Sequence, residues 1–223
     1  MIKFLENDMA KAYVGSNDVS KVYLGDELVW GNLLYDAEIE YMQGDGVSYI
    51  DTGIICSNDS KVELKAKNNN NTIANGMFGS RIYVNELSRC FYLYSLNTSQ
   101  VQFGFNNTGE NVNTKTSDEH TYIIEKNGCY IDGVKVLDVS NAPFVCPSSV
   151  LLFSCHTGSN GLNVESRMMT GRINYCKIWN SNVLVRDLIP VRVGTTGYMY
   201  DKVSGQLFGN AGTGSFILGP DVN

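Results

Sequence analysis

Charge is scarce in this chain. Only 18% of its 223 residues are Asp, Glu, Lys or Arg, and the net charge of −6 is relieved by no cluster of lysines and arginines. A phosphate backbone would find no electropositive footprint, so nucleic acid is excluded as a partner. Long amphipathic helices draw on more Leu, Ala, Glu and Lys than this composition supplies. No apolar run approaches the length that crosses a bilayer, and membrane insertion is not expected. The opening MIKFLENDMAK is too polar for a signal-peptide core, which points to a chain made in the cytoplasm. The six cysteines (Cys56, Cys90, Cys129, Cys146, Cys155, Cys176) form no CxxC pair. Set in segments such as CFYLY, FVCP and INYCKIW, they read as buried free thiols used as small hydrophobes. The two histidines, His120 and His156, stand apart, so zinc-ligand spacing is missing and no cofactor is expected.

What the chain does contain is turn and strand material: 22 Gly, 13 Tyr and only 4 Pro, with abundant Asn and Thr. Three ten-residue units open it, Ile2–Lys11 (IKFLENDMAK), Ala12–Lys21 (AYVGSNDVSK) and Val22–Gly31 (VYLGDELVWG). Each reads apolar, polar turn, apolar, and so predicts one hairpin-like corner. Ten residues bury no core, so such units must stack on one another, on a neighbouring domain or on another chain. Val14, Tyr23, Leu24 and Trp30 are the candidate attachment and oligomerisation residues. A boundary is expected at Gly31–Asn32, dividing an adaptor (1–31) from one domain (32–223) of a size usual for an all-β sandwich.

Alternation supplies the strands of that domain. Lys61–Lys67 sends Val62, Leu64 and Ala66 to one face and its charges to the other. Glu38–Met42, Ser48–Ile55, Met77–Val84, Arg89–Leu96 and Val101–Asn106 read as further strands, and Asn106–Asp118 as a long loop. HTYIIEK at His120–Lys126 turns at Asn127-Gly128, and a second turn follows at Asp132-Gly133. Val150–Cys155, Gly171–Trp179, Leu184–Val193, Tyr198–Tyr200, Leu207–Phe208 and Phe216–Leu218 complete the set. The turn spacing argues for a two-sheet antiparallel sandwich without helices.

From about Tyr41 onward, the segments YIDTG (Tyr49–Gly53), HTYIIEKNGCYIDGVKV (His120–Val136), LLFSC (Leu151–Cys155) and GRINYCKIWNSNVLVRDLIPV (Gly171–Val191) resemble the laminin-G-like, concanavalin A-type jelly roll. The tail YMYDKVSGQLFGNAGTGSFILGPDV resembles an ending common among such domains in gut bacteria and their phages. YVGSNDVSKVYLGDELVWG is similar to a short element at the start of phage virion and prophage proteins. The resemblance implies an all-β jelly roll carried on a virion through a β-repeat adaptor.

No catalytic pattern emerges. Jelly-roll glycosidases use paired carboxylates on one strand, but Glu38-Ile39-Glu40 lacks the intervening Asp and the third acid. There is no G-x-S-x-G elbow, and neighbours such as Cys155 and His156 on a strand point apart. Calcium, held in many relatives, would need more acid than surrounds Asp51, Asp132 or Asp201. Glycan binding is the chemistry that remains. Sugar sites pair an aromatic surface with Asn, Asp and Arg. Tyr92 and Tyr94 share a face by the period of two, as do Arg81 and Tyr83, with Asn106, Asn107 and His156 in position to border them. Trp179, beside Cys176 and Ile178, reads as core-edge packing.

The expectation is therefore a non-enzymatic phage virion protein: fibre, decoration or tail. Its partners would be other virion proteins, further copies of itself (a trimer above all) and surface glycans. A purely structural capsid or tail protein without a sugar site, and a bacterial surface adhesin, are the alternatives.

Overall fold

The computed structural model describes residues 12–14, 17–19, 21–24, 27–31 and 89 through their backbone, and residues 34–68, 74–82, 90–140, 142–158, 163–165 and 168–222 in full. The chain divides into two compact units, Met1–Leu34 and Tyr35–Asn223. In the first, β1 (Ala12–Val14) pairs antiparallel with β2 (Asn17–Val19), and β3 (Lys21–Leu24) with β4 (Glu27–Gly31). The first pair falls within the unit Ala12–Lys21, and the second within Val22–Gly31 apart from Lys21 at its start. The register sets Val14 against Asn17, Tyr23 against Leu28, Leu24 against Glu27 and Trp30 against Val22. The unit Ile2–Lys11 lies outside the described residues.

The second unit is all-β, and no helix occurs among its described residues. Its chain order begins β5 (Ala37–Glu38), β6 (Met42–Gln43), β7 (Ile50–Ser57), β8 (Ser60–Lys67), β9 (Asn75–Ile82), β10 (Arg89–Asn97), β11 (Gln100–Asn106) and β12 (Thr108–Asn113). It continues with β13 (His120–Glu125), β14 (Gly128–Ile131), β15 (Val134–Leu137), β16 (Val145–Leu152), β17 (His156–Thr157) and β18 (Asn163–Val164). It closes with β19 (Arg172–Asn180), β20 (Val183–Val193), β21 (Thr196–Asp201), β22 (Gln206–Phe208) and β23 (Ile217–Leu218).

Two sheets form a jelly-roll-like sandwich. One runs β12-β11-β10-β9-β16-β7, with β17 and β18 attached beside β9; the other runs β15-β14-β13-β8-β19-β20-β21-β22, with β5, β6 and β23 at its side. Alternation decides which side chains meet between them. Val62, Leu64 and Ala66 of β8 and Tyr122 and Ile124 of β13 face Phe91 and Leu93 of β10 and Phe103 and Phe105 of β11 in one core. Burying each aromatic stabilises the fold by about 1.5–3 kcal/mol. All six cysteines are buried and unpaired.

Three expectations are corrected. The stretch after Asn106 is not a plain loop: Asn106 takes a left-handed φ of 57°, and Thr108–Asn113 returns as edge strand β12. Its side chains are exposed almost throughout, so it carries no apolar alternation to read. The strand expected at Val150–Cys155 starts earlier, at Val145, and stops at Leu152, where Phe153 (φ 64°) bends the chain out of the sheet. The strand expected from Glu38 is split into β5 and β6, because Ile39 bridges to Asp221 instead of continuing the ladder.

Candidate functional site

The outer face of the first sheet is where the sequence-derived residues meet. On β10, Cys90, Tyr92 and Tyr94 point away from the main core and form a separate cluster with Cys155. Across the sheet from Tyr92 stand glycines: Gly79 on β9, Gly104 on β11 and, opposite Gly104, Gly109 on β12. A Cβ on Gly104 would lie 2.1 Å from Tyr92 Cε1, and one on Gly109 would lie 2.6 Å from its hydroxyl. The ring therefore lies flat along the sheet, over positions that only glycine leaves open. Its hydroxyl donates to Gln102 Oε1 (3.0 Å), and Gln102 Nε2 donates to Asn111 Oδ1 (3.0 Å).

Arg81 closes the arrangement from β9. Its guanidinium carbon sits 5.6 Å from the Tyr92 ring centre and 4.8 Å from that of Tyr94, and the two rings meet edge to face at 5.1 Å. Nε donates to Thr157 Oγ1 (3.3 Å) and Nη2 pairs with Glu165 Oε2 (3.4 Å). Tyr94 also donates its hydroxyl to Glu165 Oε2 (3.4 Å). A carboxylate this buried is tolerated only because cation and hydroxyl converge on it. Desolvation drives the ionisation of both tyrosines and of Cys155 upward, the thiol to about 12, so none of them ionises near neutrality.

Beside this cluster opens a cleft of about 330 Å³, lined by Arg81, Tyr92, Gln102, Asn107, Thr108 and Gly109 among others. That is at the low end of the roughly 300–1,000 Å³ usual for small-molecule sites. The Asn107 amide bonds to none of the described residues, and Thr108 Oγ1 donates to Phe105 O (2.8 Å) with its lone pairs left over. The lining thus sets polar donors and acceptors around the Tyr92 side chain.

Of the residues singled out in the sequence, Arg81, Tyr92 and Tyr94 come together. Tyr92 and Tyr94 are 6% and 3% exposed, so their rings support Arg81 and offer no open stacking face. Tyr83 lies outside the described residues. Asn106 turns its amide to Ala142 O (3.4 Å), and His156 is held through Nδ1 on Ser149 O (2.8 Å); neither lines the cleft. Val14, Tyr23, Leu24 and Trp30 lie on the strands of the first unit. Gln102, Thr108, Gly104 and Glu165 are additions from the structure. Alternation along β11 could have found Gln102, whereas no local pattern announces Glu165, 71 residues from Tyr94.

The carboxylates considered for catalysis, Glu38 and Glu40, and Asp201, considered for calcium, are elsewhere. Glu38 accepts a hydrogen bond from the Tyr35 hydroxyl (2.9 Å), and Glu40 is exposed. Asp201 is fully buried, receiving the N–H groups of Asp187 and Val203 on one oxygen and the Ser204 hydroxyl on the other. Among the described residues, no group of three His, Cys, Asp or Glu side chains converges on a point where a metal ion could sit.

No protein-family model and no curated protein matches the chain. Among solved structures, a candidate carbohydrate-binding protein from Bacteroides ovatus ATCC 8483 is similar to 82% of this chain, with 11% identity and a TM-score of 0.53. The match spans 60% of that protein, less than two thirds of its length. At this identity the likeness is one of fold: both are β-sandwiches.

Proposed function

We propose that the protein is a non-enzymatic glycan-binding jelly roll, with the cleft at Arg81, Gln102, Asn107 and Thr108 taking one or two sugar residues. The observation that carries this reading is the clamped guanidinium. Arg81 is held by Glu165, Thr157 and two tyrosine rings where it lines the cleft. A donor fixed before the ligand arrives loses little entropy on binding, which suits a sugar hydroxyl or ring oxygen. The fold shared with a candidate carbohydrate-binding protein supports the same chemistry.

The wider setting is part of the proposal. The N-terminal β-repeats attach the domain to a phage virion and assemble it into an oligomer, a trimer by preference, so that weak single sites act together. Three ten-residue units and their likeness to phage virion elements support that placement.

Glycan-array binding of the full-length protein beside its Asn107→Ala and Arg81→Lys variants tests the site, with the solution mass measured in parallel. Retention of a defined glycan set, weakened at least fivefold in both variants, is the expected result. An intact oligomer that retains no glycan would overturn it and leave a structural virion protein. A 24.6 kDa monomer would remove the assembly role.

A further inference from the structure

A second concavity, of about 290 Å³, lies on the other sheet, at one end where three tight turns meet. These are the turns between β7 and β8, between β13 and β14, and between β19 and β20. Trp179 forms its wall. It is one of two tryptophans in the chain and the only one in the jelly roll, and it is half-buried rather than closed into the core. Core-edge packing explains the buried part of the ring but not the exposed part.

The surroundings are ordered before any ligand arrives. Ser181 N–H donates to Asp59 O (3.0 Å), stitching two of the turns together. At the floor, Ser60 Oγ donates to Asn180 Oδ1 (2.6 Å). Ser181 and Asn182 hold left-handed φ values of 48° and 65°, the conformation of a tight two-residue hairpin. That turn presents the Asn182 amide at the rim, and the next hairpin presents Asn127; neither amide bonds to any of the described residues.

Charge and shape narrow the ligand. Lys61 and Lys126 are balanced by Asp59 and Glu125, so the lining favours neither an anion nor a cation. Lys126 is tied to Asp59 (3.5 Å). Lys61 Nζ rests 4.6 Å from the Trp179 ring centre and also lies 3.9 Å from Glu63, so it has a carboxylate to move to when the ring is needed. An aromatic face that can be uncovered, flanked by two uncommitted amides, is matched by the apolar face and hydroxyl edge of a pyranose.

We infer that the Trp179 platform, with Asn127 and Asn182, is a second binding site for neutral saccharides, separate from the Arg81 cleft. Two sites on one domain would let it hold a polysaccharide at two points, so a chain weakly bound at each is retained by both.

Tryptophan emission of the full-length protein, titrated with cellohexaose, mannohexaose, xylohexaose and N-acetyl-chitohexaose, tests this directly. One of the four should give a saturable shift that is missing in Trp179→Phe. Asn127→Ala and Asn182→Gly, the latter keeping the left-handed turn, should each weaken it about tenfold, the scale of one lost hydrogen bond. Lys65→Ala, outside both sites, should leave it unchanged. No saturable shift with any of the four, or one indifferent to both asparagines, overturns the second site. Array binding that survives in that case leaves the Arg81 cleft standing. A tryptophan response without any sensitivity of array binding to Asn107 or Arg81 removes the cleft and keeps the platform.

Discussion

The two outer faces of the sandwich solve the same problem in opposite ways. On the β8/β13/β19 face, long charged side chains cover the sheet: Lys65 pairs with Glu119 (2.8 Å), Tyr175 donates its hydroxyl to Glu63 (3.0 Å), and Lys177 stands 3.9 Å from Asp187. These are half-exposed contacts that water can replace. On the β9/β10/β11 face, glycines remove the Cβ atoms, a tyrosine fills the space, and a part-buried Arg81 and a buried Glu165 sit over it. A solvated ladder tolerates change. A glycine-floored cluster does not, because each member occupies space that the others define.

The sharpest way to break that contrast is one residue on each face. Gly104→Val would put side-chain atoms where the Tyr92 ring lies, and neither the ring nor the β11 backbone has room to yield. A loss of about 3 kcal/mol or more in urea unfolding is expected, with binding at the cleft abolished. Lys65→Ala should cost less than about 0.5 kcal/mol. Comparable losses at the two sites would mean that the faces do not differ in the way described. Arg81→Met keeps the hydrophobic cover over the tyrosines but removes the cation from Glu165. It should cost about 1–3 kcal/mol, measured in the same way.

Two tyrosines sharpen the point at a smaller scale. The Tyr92 hydroxyl donates to Gln102. The Tyr122 hydroxyl, buried between the sheets, has no partner among the described residues. Tyr92→Phe strands a Gln102 acceptor and should cost about 1 kcal/mol, whereas Tyr122→Phe relieves a desolvated hydroxyl and should be neutral or stabilising by up to about 1 kcal/mol. Thermal unfolding of the pair distinguishes the signs; a destabilised Tyr122→Phe would reveal a partner for that hydroxyl.

The same contrast explains what could be read from the sequence. β8 was legible because its apolar positions alternate without a break and all end up buried. The turns at Gly128 and at Asp132-Gly133 were legible because their geometry favours those residues; Asp132, Gly128 and Gly133 all take positive φ. The grouping of Tyr92 with Tyr94 followed from the period of two. What the alternation could not show is that the outward face of β10 is itself buried. That depends on Glu165 and Cys155, which arrive from a distant segment, and on glycines whose meaning appears only when three strands are aligned. β12 escaped notice for a related reason: an exposed edge strand of polar residues is held by backbone pairing and by the Gln100–Asn113 and Gln102–Asn111 amide bonds, and neither leaves a hydrophobic pattern.

The weakest expected effect belongs to the solvated side and concerns acid. Burial at the start of the second hairpin works against ionisation of Asp132. The His120 ring (2.6 Å) and the Thr121 N–H (2.8 Å) outweigh it and hold the carboxyl below its ordinary value of 3.8. Asp45 is lowered in the same way: burial opposes, but the N–H groups of Val47, Ser48 and Ser215 prevail. A carboxyl that binds its proton less readily when folded contributes stability above its unfolded value, and that contribution fades as pH falls through about 4 towards the folded value. The urea midpoint should therefore be flat from pH 6 to 5 and decline between pH 4 and 3. Asp132→Asn should lower the plateau slightly and flatten the decline, with the remaining slope carried by Asp45 and the other lowered carboxylates. Because Asp132 is more than half exposed, solvent screening keeps the change small, well short of what Gly104→Val does on the other sheet. A variant as acid-sensitive as the parent would place the sensitivity at Asp45 and the other lowered carboxylates, and the contacts of Asp132 with His120 and Thr121 would contribute nothing measurable to it.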